Sequence, residues 1–207
     1  MSGPDVGLGF AWQGRSWDAT LNCWAAKIQP GEFYITTSKD EAITTVLGSC
    51  ISACMRDPQL GVGGMNHFML PEDTTTGRSS WLNESTGLAT RYGSFAMETL
   101  INALLKMGAR RERLEVKLFG GGHVLNASID VGDRNIDFAR HWLKTEGLPI
   151  VAEDVGGNMP RRVVYFPNDG KVKVKHLRTA ESRDIATRER NYLGTVAAKP
   201  VADIELF

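Results

Sequence analysis

Residues 43–70 read ITTVLGSCISACMRDPQLGVGGMNHFML, and this stretch divides into three β-prone runs. Ile43 to Leu47 ends at Gly48, while Ile51 to Met55 and Val62 to Leu70 flank the segment Asp57-Pro58-Gln59-Leu60-Gly61. Pro58 presets the backbone dihedral for the second position of a tight turn. If Pro58 and Gln59 form a two-residue turn, Asp57 pairs with Leu60. Carried inward, that ladder sets Cys50 directly opposite His67, with Cβ atoms ~4.5–5.5 Å apart on one face. A slip of one residue would send the two side chains to opposite faces.

Working outward, the pattern becomes helical from Ser94 to Met107, with Phe95, Leu100, Ile101, Leu104 and Leu105 along one side. Leu114 to Phe119 reads as a strand running into Gly120-Gly121-Gly122. Asp133 can cap a second helix, Arg134 to Glu146, stopped by Gly147. Ile150 to Ala152, Val163 to Phe166 and Lys171 to Leu177 complete the strands, the last two joined through the turn Pro167-Asn168-Asp169-Gly170. Strands outnumber helices and are arranged for antiparallel pairing. The expected class is α/β of the α+β kind, not a doubly wound parallel sheet.

Pattern is concentrated between residues 31 and 178, which delimits the expected domain. Residues 1–30, rich in Gly, Ser and Trp, read as a variable N-terminal extension whose Trp12, Trp17 and Trp24 pack on the domain or meet a partner. Residues 179–207 read as a C-terminal extension, a surface helix or a loose tail. The 207 residues carry 24 basic and 24 acidic side chains, so no global field recruits nucleic acid or anionic lipid. No run approaches the ~20 apolar residues of a membrane span. Three cysteines, Cys23, Cys50 and Cys54, make no disulfide framework and fit a reducing cytoplasm.

In that setting a cysteine facing a histidine is a candidate nucleophile. The thiolate is the reactive form, and a neighbouring imidazolium favours it. The same imidazole can later protonate a leaving amine. Gly48-Ser49 ahead of Cys50 offers a tight turn whose N–H groups can receive an oxyanion. A third group normally orients the imidazole, and the Thr44 hydroxyl, six residues before Cys50, is placed to do so. Cys50 and Cys54 alone make a poor zinc site. The glycines before His123 lack the Lys-Ser/Thr of a phosphate-binding loop.

Thr44-Thr45-Val46-Leu47-Gly48-Ser49-Cys50 followed by Gly64-Met65-Asn66-His67-Phe68-Met69-Leu70-Pro71 resembles the CheD family of chemoreceptor glutamine deamidases. The resemblance continues in order through Arg91-Tyr92-Gly93, Lys117-Leu118-Phe119-Gly120-Gly121, Gly132-Asp133-Arg134-Asn135, Glu153-Asp154-Val155-Gly156-Gly157 and Asp169-Gly170-Lys171-Val172. It implies an α/β/β sandwich with two main helices, similar to cysteine-dependent deamidating toxins. It also implies hydrolysis of receptor glutamine side chains to glutamate, with Cys50 as nucleophile, His67 as acid and base, and Thr44 orienting the histidine. Neither metal nor organic cofactor is implied. The partners implied are methyl-accepting chemotaxis receptors and a CheC-like phosphatase. Receptor signalling domains are helical bundles, so the enzyme is expected to hold a shallow, open cleft around Cys50, with the loop Glu72 to Thr90 and then the strand Lys171 to Lys175 as recognition elements. A non-catalytic adaptor and a thiol acyltransferase are the competing readings.

Overall fold

The computed structural model describes residues 14–70, 88–125 and 131–198. Ten strands and three α-helices occur among them: β1 (Arg15–Asp18), β2 (Cys23–Lys27), β3 (Phe33–Thr36), β4 (Glu41–Leu47), β5 (Ile51–Asp57), β6 (Val62–Asn66), α1 (Leu88–Lys106), β7 (Glu115–Gly120), α2 (Val131–Thr145), β8 (Ile150–Val155), β9 (Arg161–Tyr165), β10 (Val172–His176) and α3 (Thr179–Ala198). They build two five-stranded sheets, ordered β1-β2-β4-β9-β10 and β3-β6-β5-β7-β8. Pairing is antiparallel except for β2 with β4 and β7 with β8. The mixed α+β class read from the sequence is the class observed.

Period-two alternation decides what each strand feeds. On β5, Ile51, Ala53 and Met55 join Leu100, Leu104, Phe138 and Leu143 in a core between the second sheet and helices α1 and α2. Cys50 and Cys54 point the other way, joining Ile43, Leu47, Met65 and Val163 between the two sheets. The layers therefore run helices, sheet, sheet. Gly64 keeps the first contact close, since a Cβ there would lie 2.9 Å from Leu100 Cδ1.

Several local expectations are corrected. Residues assigned to an N-terminal extension supply β1 and β2, and β2 pairs with β4. Trp17 and Trp24 pack edge to face with ring centroids 5.8 Å apart, yet both stay about half exposed; Trp12 lies outside the described residues. Phe95 is exposed, and the buried stripe of α1 is Met97, Leu100, Ile101 and Leu104. Asp133 lies inside the first turn of α2, whose first residue is Val131. Most of the loop Glu72 to Thr90 falls outside the described residues, and Leu88 to Thr90 open α1.

The turn after β5 is the consequential correction. Asp57 pairs with Val62, not Leu60, so four residues intervene. Asp57 Oδ1 accepts the N–H groups of Gln59 and Leu60 at 3.0 and 3.2 Å, and Gly61, at φ 72°, donates to the Asp57 carbonyl. Asp57 Oδ2 also accepts from Arg110 N at 3.0 Å and Arg113 Nε at 2.8 Å. Burial pushes this carboxyl up, but the bonds from Arg110 and Arg113 outweigh it and hold it below the ordinary Asp value. Asp57→Ala should cost roughly 2–4 kcal/mol in urea unfolding, because it orphans turn amides and a half-buried guanidinium. A depressed carboxyl stabilises the fold above its unfolded pKa and loses that stabilisation as pH falls through its folded value. The variant's stability should consequently fall less on acidification below pH ~4 than that of the parent chain.

Candidate active site

β4 and β5 are consecutive in the chain yet belong to different sheets, so Gly48-Ser49-Cys50 is a crossover between layers. All three carbonyls of this turn are tied down. Gly122 N donates to the Gly48 carbonyl and Gly121 N to the Cys50 carbonyl, both at 2.7 Å. Asn135 Nδ2 donates to the Ser49 carbonyl at 2.7 Å, while Asn135 Oδ1 accepts Leu70 N at 2.9 Å. The glycine triplet is thus a clasp on the cysteine turn and not a phosphate loop. Gly120 sits at φ 111°, and a Cβ there would come within 2.2 Å of the Cys50 carbonyl. Only glycine allows that approach.

The three N–H groups converge on one anion, the carboxylate of Glu189 on α3. Gly48 N and Ser49 N donate at 2.8 Å, Cys50 N at 3.3 Å, and Ser49 Oγ adds a fourth bond at 2.7 Å. Successive backbone amides aimed at one point form an anion-binding nest. Sequence reading placed an oxyanion site at this turn but missed Glu189 altogether. Its signal was weak: one of five acids among residues 179–207, more than 130 residues from the cysteine.

His67 follows β6. It stays in register because its N–H donates to the Glu32 carbonyl, and its own carbonyl accepts Gly31 N at 2.7 Å. Its ring faces the first sheet, where Thr45 Oγ1 lies 2.8 Å from Nδ1. Thr45 Oγ1 also lies 2.8 Å from the Ile28 carbonyl, which can only accept. A hydroxyl has one proton, so it goes to Ile28, and His67 Nδ1 must donate to Thr45. That fixes the tautomer: Nε2 carries the lone pair. Nε2 is buried and has no hydrogen-bond partner, so the thiol is not bonded to it here. Burial lowers the imidazole to about 3, leaving it neutral.

Cys50 is fully buried, and burial first, then the charge and bonds of Glu189, push its thiol well above the ordinary value. The resting pair is therefore neutral thiol and neutral imidazole, and the site is closed rather than the open cleft expected. Cys50 and His67 do share the inter-sheet face. The four-residue turn shifts the ladder by two positions, so Ile51 bridges Phe68, and an even shift preserves faces. Thr44 is displaced from its expected place beside His67. Ile43, Thr45 and Leu47 point between the sheets, so Thr44 points outward, and its hydroxyl donates to the Val163 carbonyl at 3.1 Å. No group of three His, Cys, Asp or Glu side chains suited to a metal ion occurs among the described residues.

A cysteine on a turn of convergent amides thus shares the inter-sheet face with an imidazole of fixed tautomer. The family model "CheD chemotactic sensory transduction" matches residues 69–176. A probable chemoreceptor glutamine deamidase CheD of Halorhodospira halophila is 49% identical over 99% of this chain and 94% of its own. Its counterpart in Hydrogenovibrio crunogenus is 52% identical over 93% of this chain and 99% of its own. The chain belongs to the CheD family. The first of these matches takes in both ends, so neither terminal segment is peculiar to this chain. Among solved structures, Neisseria meningitidis protein NMB0706 gives a TM-score of 0.37 at 12% identity, covering 61% of this chain and 52% of its own.

Proposed function

We propose that this protein is a protein-glutamine glutaminase that hydrolyses glutamine side chains of methyl-accepting chemotaxis receptors to glutamate, in the cytoplasm. The observation that carries the reading is the nest of Gly48, Ser49 and Cys50 amides, occupied by a carboxylate, at the turn that bears the thiol. An amide carbonyl seated there would have its oxygen polarised next to Cys50. The relatives' names supply the substrate class.

In the proposed reaction His67 Nε2 takes the thiol proton and Cys50 Sγ bonds to the carboxamide carbon. The carbonyl oxygen gains charge in the amide nest. His67 returns the proton to nitrogen, the C–N bond breaks, ammonia leaves and a thioester remains. Water then attacks the thioester as Nε2 accepts its proton; the C–S bond breaks and the thiol is restored. Ammonia leaves poorly unless protonated, which is why the base must also serve as acid. A CheC-like phosphatase partner belongs to the same proposal through the family resemblance. The test is mass spectrometry of a cognate receptor signalling domain after incubation with the protein, read for NH2 replaced by OH at glutamines. An unchanged receptor would overturn the reading.

Thr45 enters as a positioning residue for this reaction. Thr45→Val removes the acceptor for Nδ1, and losing ~1.4 kcal/mol of orientation corresponds to about a tenfold fall in kcat. KM should hold and Thr45→Ser should restore the rate. Thr44→Val, measured alongside, should change turnover by less.

A further inference from the structure

The C-terminal helix α3 crosses the site with one face. Ile185, Glu189, Tyr192 and Leu193, spaced as one helical stripe, are half-buried or buried, whereas Asp184, Arg188, Arg190 and Asn191 are exposed. Leu193 enters the inter-sheet core with Cys50. The Tyr192 hydroxyl bonds to that of Tyr92 on α1. It also approaches Gly31, where a Cβ would stand 2.7 Å from it. Glu189 projects from the middle of this stripe, 4% exposed, and its carboxylate fills the amide nest at Cys50. A buried carboxylate with four donors is held specifically, since desolvating it without them would be costly.

A glutamate presented by a helix to these amides has the chemistry of the proposed product, a receptor helix bearing glutamate where glutamine stood. We propose that α3 is a built-in pseudo-product: it occupies the groove that accepts the substrate helix, and it must leave before a receptor helix can present its glutamine. This rests on the deamidase reading above. The groove thereby acquires a definite partner, an α-helix with a carboxamide at one position, an aromatic three residues later and an aliphatic side chain four residues later on the same face. Displacing α3 also exposes the thiol and removes the negative charge beside it.

The test uses the full-length chain and iodoacetamide, with alkylation of Cys50 followed by site-resolved mass spectrometry. Glu189→Ala and, as a variant that leaves the nest untouched, Leu193→Ser should each speed alkylation of Cys50 about tenfold or more, because both weaken the docked state. An unchanged or slower rate in both would overturn the proposal. If alkylation rises while neither variant nor parent changes a receptor, the docked helix stands and the deamidase reading falls, so the two failures are separable. Glu189→Gln then asks whether the seat is the substrate's own. Its introduced carboxamide should be hydrolysed back to a carboxylate, NH2 giving way to OH, and should persist when Cys50→Ala is added. A carboxamide retained by a Glu189→Gln protein that still turns over receptor would overturn the pseudo-product assignment.

Discussion

Cys50→Ala should abolish release of ammonia from receptor glutamines while the protein remains folded. In the proposed reaction the substitution removes the atom that bonds to the carboxamide carbon, and without it only the amide nest would remain to assist water. In enzymes that form an acyl intermediate, losing the nucleophile costs about 10⁶-fold in kcat. The structural cost is small by comparison. Cys50 is buried between the sheets, but the change removes a single sulfur and leaves every backbone bond of the turn in place. A thermal unfolding curve near that of the parent, together with a receptor whose mass does not change, is the expected pair of results. Receptor deamidation retained by the purified variant would refute the mechanism.

His67→Ala should be nearly as damaging, for two separate reasons. In the proposed reaction Nε2 takes the thiol proton, and the same nitrogen later delivers it to ammonia. Loss of both steps is expected to lower kcat by about 10⁴-fold or more, since each acid or base step is commonly worth 10²–10⁴. His67→Gln is the informative companion, because its side chain can keep a bond to Thr45 without offering a base. A profile of kcat/KM against pH should show the free imidazole needed in its neutral form across the physiological range, since burial holds its pKa near 3 in the docked state. Alkylation of Cys50 should also slow in His67→Ala once α3 is displaced by Glu189→Ala, which ties the histidine to thiol activation directly.

The sequence by itself determined the local elements and the chemistry they carry. Alternating apolar residues marked β4 through β6, and helical periodicity marked α1 and α2. The turn Pro167 to Gly170 announced the pairing of β9 with β10, which is observed. These features depend on neighbours in the chain, so a linear reading captures them. Cys50 and His67 were placed on one face by counting across a turn. The count was off by two residues because Asp57 caps a four-residue loop, so Cys50 and His67 are not directly opposite, and only their shared face persists because strand faces repeat every two.

What the tertiary structure alone decided is whatever joins distant segments. β4 and β5 separate into different sheets, which sends Thr45 rather than Thr44 to His67; a one-residue step reverses a strand's face, and no local pattern said which threonine pointed inward. Gly120 and Gly122 are required by close approach to the Cys50 and Gly48 carbonyls some 70 residues earlier, and Gly121 by the Ile136 side chain of α2. Glu189 lies still further from the cysteine turn it fills, on a helix whose sequence balances Glu181, Asp184 and Glu189 against Arg183, Arg188 and Arg190. Such long-range contacts depend on how the layers pack, and packing is fixed by the whole chain at once.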